Sequence, residues 1–171
     1  MKRLLLVLSI ALPLFSTAQK KTPGYFSIRG GAAFLEDAPK GIGHISFGAS
    51  PNRTIGIGAG IGFVHIDKLY VPLTVDISYF GKPGKVSPII IGSAGYGLCN
   101  EKNAYFTTKG GFTGSLNAGV ALPTKKFTKF FVMGGYSIYS FSGGQNIQTA
   151  GYSYKAKDNV KVFTITLGVK V

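Results

Sequence analysis

Ile55-Gly56-Ile57-Gly58-Ala59-Gly60-Ile61-Gly62-Phe63 has an apolar residue at every odd position and glycine at every even one. Successive side chains of a β-strand point to opposite faces, so this segment has one apolar face and one bare face. These glycines do not form a phosphate-binding loop: neither the P-loop nor the dinucleotide spacing occurs, and no helix follows. A bare strand face instead makes room for large side chains opposite it.

The same period of two recurs along the chain, between clusters of Gly, Pro, Asn, Asp and Lys, and helical periodicity is absent. Eight segments are predicted as strands: Tyr25 to Phe34, Ile42 to Ser50, Ile55 to Val64, Tyr70 to Phe80, Val86 to Leu98, Gly111 to Leu122, Phe130 to Ser140 and Lys161 to Val171. In the fourth, Val71, Leu73, Val75, Ile77 and Tyr79 share a face opposite Pro72, Thr74, Asp76 and Ser78. The run Ile89-Ile90-Ile91 leaves the fifth ambiguous, and Ile90, Ala94, Tyr96 and Leu98 are assigned outward.

The chain begins with Lys2 and Arg3, an apolar run from Leu4 to Leu14, and the small residues Ser16-Thr17-Ala18. That order predicts a cleavable secretory signal peptide over residues 1–18. The run is too short for a helical span, which needs about 20 residues, and Pro13 interrupts it. No later apolar stretch is long enough for a membrane helix. The remainder, 19–171, is expected to form one domain.

Strands of about 9 to 11 residues are what a tilted span of a bilayer needs. The connections around Pro51, Gly81 and Pro123 are short, whereas Cys99 to Gly110 and Phe141 to Val160 are the longest and are expected to be external loops. Short periplasmic turns and longer external loops are the outer-membrane pattern, and an even strand count returns both termini to the periplasmic side. The outward rings sort to two levels: Phe34, Phe63, Tyr96, Phe112 and Phe163 near the external rim, and Phe26, Tyr79 and Phe130 near the periplasmic one. Between them lie Ile57, Val75, Ala94, Leu116, Ala118 and Ile165. Aromatic residues gather at membrane interfaces in this way. The expected fold is therefore all-β, an eight-stranded antiparallel up-and-down transmembrane β-barrel in the outer membrane of a Gram-negative bacterium. A secreted soluble ligand-binding barrel is the rival, but its water-facing side should be rich in charge, whereas here the second face carries mostly Gly, Ser and Thr.

Nineteen Lys and Arg against 6 Asp and Glu give a formal charge of +13, or +11 once Lys2 and Arg3 leave with the signal. The cations are scattered through turns, which speaks against a nucleic-acid surface. Outer-membrane lipid and lipopolysaccharide phosphates are the expected counter-charges. Lys102, Lys109, Lys155, Lys157 and Lys161 fall near the outer rim, and Arg53, Lys82, Lys85, Lys125, Lys126 and Lys129 near the inner one. Cys99 is the only cysteine, so no intrachain disulfide forms. His44 and His65 have opposite parities and no Cys/His cluster has zinc spacing, so neither a metal nor a cofactor is expected.

Val71-Pro72-Leu73-Thr74-Val75-Asp76-Ile77-Ser78-Tyr79-Phe80, followed by Lys85-Val86-Ser87-Pro88 and Gly95-Tyr96-Gly97, resembles the small outer membrane β-barrel domain family, related in architecture to the eight-stranded OmpA- and OmpX-like barrels. The resemblance spans the mature chain and implies a fold more than an activity. It also implies insertion by the β-barrel assembly machinery. The final Val171 stands where many such barrels end in an aromatic, while Phe163, Ile165, Leu167 and Val169 keep the alternating signal.

Eight strands enclose a lumen that side chains just fill, whereas general diffusion porins use about twice as many. Within that lumen Arg29 and Asp76 fall at similar depth, and a salt bridge joined by Ser46, Asn117 and Thr166 is expected, because buried charges persist when paired. No Ser, His and carboxylate converge on one face in this reading, so an enzyme is not expected. The loop segments Ser142-Gly143-Gly144-Gln145-Asn146 and Tyr152-Ser153-Tyr154-Lys155 offer a surface for a protein or a glycan partner. The expected role is structural or binding in the cell envelope, with docking to a larger outer-membrane complex. The alternative is a narrow channel for ions or small solutes.

Overall fold

The computed structural model describes residues 23–35, 38–51, 54–65, 69–81, 85–102, 106–123, 128–147 and 152–171. The predicted signal peptide, and the start of the domain at Gln19, lie outside the described residues. Each alternating segment forms a strand: β1 (Gly24–Phe34), β2 (Pro39–Ala49), β3 (Ile55–His65), β4 (Leu69–Phe80), β5 (Ser87–Leu98), β7 (Phe106–Pro123), β8 (Lys129–Ile147) and β9 (Tyr152–Lys170). A short strand β6, Asn100–Lys102, continues the β5 segment past Cys99 and pairs with β7.

Neighbours pair antiparallel in the order β5-β4-β3-β2-β1-β9-β8-β7, and β5 pairs back onto β7 from Ser87↔Ala121 to Tyr96↔Phe112. That pairing closes the sheet. First and last strands meet from Ser27↔Lys170 to Phe34↔Phe163, and Phe26 and Val171 exchange backbone hydrogen bonds of 3.0 and 2.8 Å just beyond. The chain is thus a closed eight-stranded, all-antiparallel, up-and-down β-barrel, with no helix among the described residues.

The barrel is apolar outside and polar within. Val75, Ile77, Leu116 and Leu167 are 59%, 60%, 64% and 60% exposed, while Thr74 and Asp76 are 8% and 2% exposed. Ile90 faces out and Ile89 and Ile91 face in, as assigned for the ambiguous run.

Strand β3 turns Ile55, Ile57, Ile61 and Phe63 outward, and its inward glycines leave space that other strands fill. A Cβ on Gly58 would lie closer than 3.0 Å to the Phe47 carbonyl and the Tyr25 hydroxyl, and one on Gly60 would meet the His44 ring and, at 3.1 Å, the Asp76 carboxylate.

Two apolar clusters occupy the ends of the lumen. Ala33, Val64, Tyr70, Cys99, Tyr139 and Val162 fill the end away from the termini, with the Tyr70 ring 5.2 Å from Tyr139 and 5.0 Å from Phe141. Phe80, Ile89, Ile91, Ala121, Phe131 and Met133 fill the terminus end. There the Lys170 ammonium lies 3.9 Å from the Phe80 ring centroid and 4.5 Å from that of Tyr25. Cys99, expected at the start of an external loop, is buried in the first cluster.

The two expected long loops are largely strand. β8 runs on to Ile147 and pairs with β9 out to Ile147↔Tyr152, while β7 starts at Phe106 and pairs with both β6 and β8, with a register shift between Gly110 and Thr113. A sheet of β6 to β9 therefore continues beyond the level where β1 ends at Phe34. Backbone pairing needs no apolar face, so a paired strand can form where the sequence carries no alternating signal. Residues 103–105 and 148–151 of these segments lie outside the described residues. β2 likewise starts at Pro39 rather than Ile42, since proline is tolerated as the first residue of a strand.

The outcome of filling a glycine site depends on what the added carbon would meet. Alanine in place of strand glycine gains about 0.5–1 kcal/mol from backbone entropy, and overpacking costs about 1–3 kcal/mol. Gly58→Ala should lower the urea midpoint of the refolded barrel. Gly92→Ala, whose added carbon would come no closer than 4.0 Å to the Leu116 side chain, should leave it unchanged or raise it.

Candidate functional site

Between the apolar plugs lies a polar layer. Arg29 of β1 and His44 of β2 are register partners, as are Asp76 of β4 and Ser93 of β5. β3 stands between the two pairs and presents glycine inward, so side chains from β1 and β2 reach across it. Arg29 Nη2 lies 3.8 Å from Asp76 Oδ2 and donates to Ser93 Oγ at 3.1 Å. Both partners are buried.

Thr74 Oγ1 donates to Asp76 Oδ1 at 2.7 Å, and His44 Nε2 lies 3.0 Å from the same hydroxyl. The one Thr74 proton is committed to the carboxylate, so the hydroxyl oxygen accepts from His44 Nε2–H. That fixes the neutral imidazole as its Nε2–H tautomer. His44 Nδ1 is then bare, 3.8 Å from Asp76 Oδ2.

Of the residues expected to join Arg29 and Asp76, Ser46, Asn117 and Thr166 are buried in the lumen but do not hydrogen-bond to either. Asn117 belongs to a second set on the opposite wall, donating to Ser115 at 3.3 Å and accepting from Thr164 at 3.0 Å. Thr166 Oγ1 has no hydrogen-bond partner among the described residues. His44, not Ser46, is the β2 residue that meets this group. The sequence signal for Thr74 and Ser93 was their inward parity, which they share with many other hydroxyls.

The structure also brings together a hydroxyl, an imidazole and a carboxylate, Thr74, His44 and Asp76, where no such convergence was expected. Its chemistry is limited by its surroundings. Arg29 engages the carboxylate, the Thr74 proton points to Asp76 rather than to His44, and the adjoining cavity is about 50 Å³. Small-molecule sites are several hundred cubic ångströms, whereas this one matches a few water molecules. A cation would face the Arg29 guanidinium at the same oxygen. His65 is exposed on the outer wall, so the two histidines do not meet.

Outside, the eight assigned rings Phe26, Phe34, Phe63, Tyr79, Tyr96, Phe112, Phe130 and Phe163 are all exposed on the barrel wall. Tyr136 and Phe47, not assigned beforehand, are also outward. Tyr136 packs edge-on against Phe163 at 5.5 Å, and Phe163 lies 6.2 Å from Phe34, forming an aromatic ladder across β8, β9 and β1. Rings also shelter outward glycines: a Cβ on Gly43 would strike Phe63, and one on Gly134 would touch Phe163 at 3.4 Å.

No protein-family model matches the chain, so the likeness to the small outer membrane β-barrel domain family rests on its motifs. No curated protein matches it. Among solved structures it is similar to the crystal structure of a major outer membrane protein from Thermus thermophilus, at 16% identity and a TM-score of 0.44, covering 86% of this chain and 98% of that one.

Removing one member of a buried ion pair costs about 3–5 kcal/mol because the other charge is stranded, whereas replacing both with apolar residues is often neutral. Asp76→Leu should therefore destabilise the barrel by about 3 kcal/mol or more in urea unfolding, and adding Arg29→Met should recover most of the loss. Additive losses in the double variant would show that the pair is not coupled.

Proposed function

We propose that this protein is a non-enzymatic, integral outer-membrane β-barrel with a side-chain-filled lumen and a structural or binding role in the cell envelope of a Gram-negative bacterium. The observation that carries the reading is the inverted wall: a continuous apolar exterior, with its charges and hydroxyls turned inward. In water such an exterior is an aggregation hazard, because soluble monomers rarely expose apolar patches beyond a few hundred square ångströms. In a bilayer it is the required surface. The signal peptide expected at residues 1–18 supports export, and the two rims of outward rings support interfacial anchoring.

On this reading the surrounding partners are outer-membrane lipid and lipopolysaccharide, with the assembly machinery acting during insertion. The continuation of β6 to β9 beyond the barrel supplies an external surface for a protein partner, such as a larger outer-membrane complex. The sealed setting of Thr74, His44 and Asp76 supports a structural rather than a catalytic use. A ligand-binding barrel in water would carry the opposite wall.

The two plugs favour a closed lumen over a narrow channel. The protein should sediment with membranes, require detergent for extraction and migrate differently before and after heating on a semi-native gel. In planar bilayers the wild type should be silent. Removing one plug, by Tyr70→Ala with Tyr139→Ala, should leave it silent because the other still seals. Combining this with Phe80→Ala and Phe131→Ala should produce stepwise openings. Openings in the wild type would favour the channel, and recovery in the soluble fraction without detergent would overturn the membrane reading.

A further inference from the structure

Two like charges face each other across the last strand pair. Lys129 of β8 and Lys170 of β9 are register partners, and both turn into the terminus mouth of the barrel. Their ammonium groups lie 5.4 and 3.9 Å from the centroid of one ring, that of Phe80 on the opposite wall. Lys170 is 7% exposed, and Lys129 is partly buried. Like charges directly opposite destabilise a strand pair, and a buried ammonium is costly without a counter-charge. The faces of Phe80 and Tyr25 supply part of that attraction, but a ring carries no net charge. Neither ammonium forms an ion pair among the described residues. Asp76 shares the inner face of β4 with Phe80, but it lies four residues deeper, about 13 Å along the strand, and Arg29 engages it. Glu36, Asp37, Asp67, Glu101 and Asp158 belong in sequence to segments that join or extend strands at the other mouth. Ser87 of β5 adds a hydroxyl to the two cations. It is 5% exposed, and its Oγ has no hydrogen-bond partner among the described residues. Gly81 links it to Lys129: the Gly81 carbonyl accepts from the Lys129 ammonium at 3.2 Å, and a Cβ on Gly81 would lie 2.7 Å from that of Ser87.

We propose that Lys129, Lys170 and Ser87 form a site for a phosphate monoester group, or free phosphate, at the terminus mouth of the lumen. A phosphate monoester carries a charge of about −2 above neutral pH, which matches two ammonium groups. Its oxygens accept from several donors at once, and here the donors come from three strands, β5, β8 and β9. A carboxylate or a phosphodiester would leave one positive charge uncompensated. The partly buried Lys129 is the side from which a solute reaches the pair. The site rests on the geometry of the lumen and not on what surrounds the outer wall.

The test titrates the mature protein, refolded in non-ionic detergent, with inorganic phosphate by calorimetry at about pH 8, where phosphate is dianionic, and at constant ionic strength. Binding should saturate at one site. Lys170→Gln and Lys129→Gln should each weaken it about tenfold or more, the loss of one charge-assisted hydrogen bond, while Lys170→Arg should retain it. Lys161→Gln, which removes a charge from the exposed face of β9, should bind as the wild type does. Acetate should bind about tenfold more weakly than phosphate. Heat-modifiable migration shows that each variant is folded, so a failed site is told apart from a failed barrel. Absence of saturable binding, acetate bound as tightly as phosphate, or equal weakening by Lys161→Gln overturns the proposal. Lipid nanodiscs then distinguish the source of the group. Phosphatidic acid that abolishes phosphate binding assigns the site to a lipid headgroup, and phosphate binding unchanged by it assigns the site to a soluble phosphate.

Discussion

Everything in this barrel depends on closing the backbone ladder. In hydrocarbon each unsatisfied N–H or C=O costs several kcal/mol, and a sheet escapes that cost by having no open edge. The β5–β7 pairing and the β1–β9 pairing supply the closure, and the Phe26–Val171 exchange carries the latter to the rim. Closure with eight strands also sets the radius, and a barrel that narrow has room inside for side chains and little else. The crowding explains β3: the run of glycines on its inner face, Gly56 to Gly62, is the space into which Tyr25 and His44 project and across which Arg29 approaches Asp76.

The polar layer is better understood as a specificity device than as a source of stability. A buried ion pair barely repays its desolvation. Register is where it acts. A one-residue slip of a strand reverses every side chain, so a slip of β4 would turn Asp76 onto the outer wall and leave Arg29 alone inside. Nothing comparable guards the outer face, where Ile, Val and Leu are nearly interchangeable. The aromatic plugs above and below the layer keep it dry enough for the charges to matter to one another.

Much of this was legible in the sequence, for a physical reason. A wall with lipid on one side and side chains on the other forces a period of two, and that period survives in β3, in β4 and in the Lys161-to-Thr166 stretch of β9 almost without exception. It also located Arg29 and Asp76 at one depth. Residues that depart from the two-sided pattern were harder to place. Tyr70, Phe80 and Phe131 are large apolar residues at inward positions, and they become intelligible as plugs once Tyr139, Ile89 and Met133 are seen beside them. His44 reads as one lumenal polar group among many until Gly60 is found to make room for it. The continuation of β8 and β9, with Ser142-Gly143-Gly144-Gln145-Asn146 and Lys155, Lys157 and Asp158 in its sequence, shows no sustained alternation and reads as loop.

The central claim is that the apolar face of every strand contacts lipid. The chain has no tryptophan, so a single introduced indole reports without background. With Val75→Trp or Leu116→Trp on the wall, and Thr113→Trp facing the lumen, fluorescence quenching by lipids brominated along their acyl chains tests that claim directly. Strong quenching at the two wall positions and little at the lumenal one is predicted. Quenching at the lumenal position alone, or wall indoles that respond to aqueous iodide and not to brominated lipid, would contradict it.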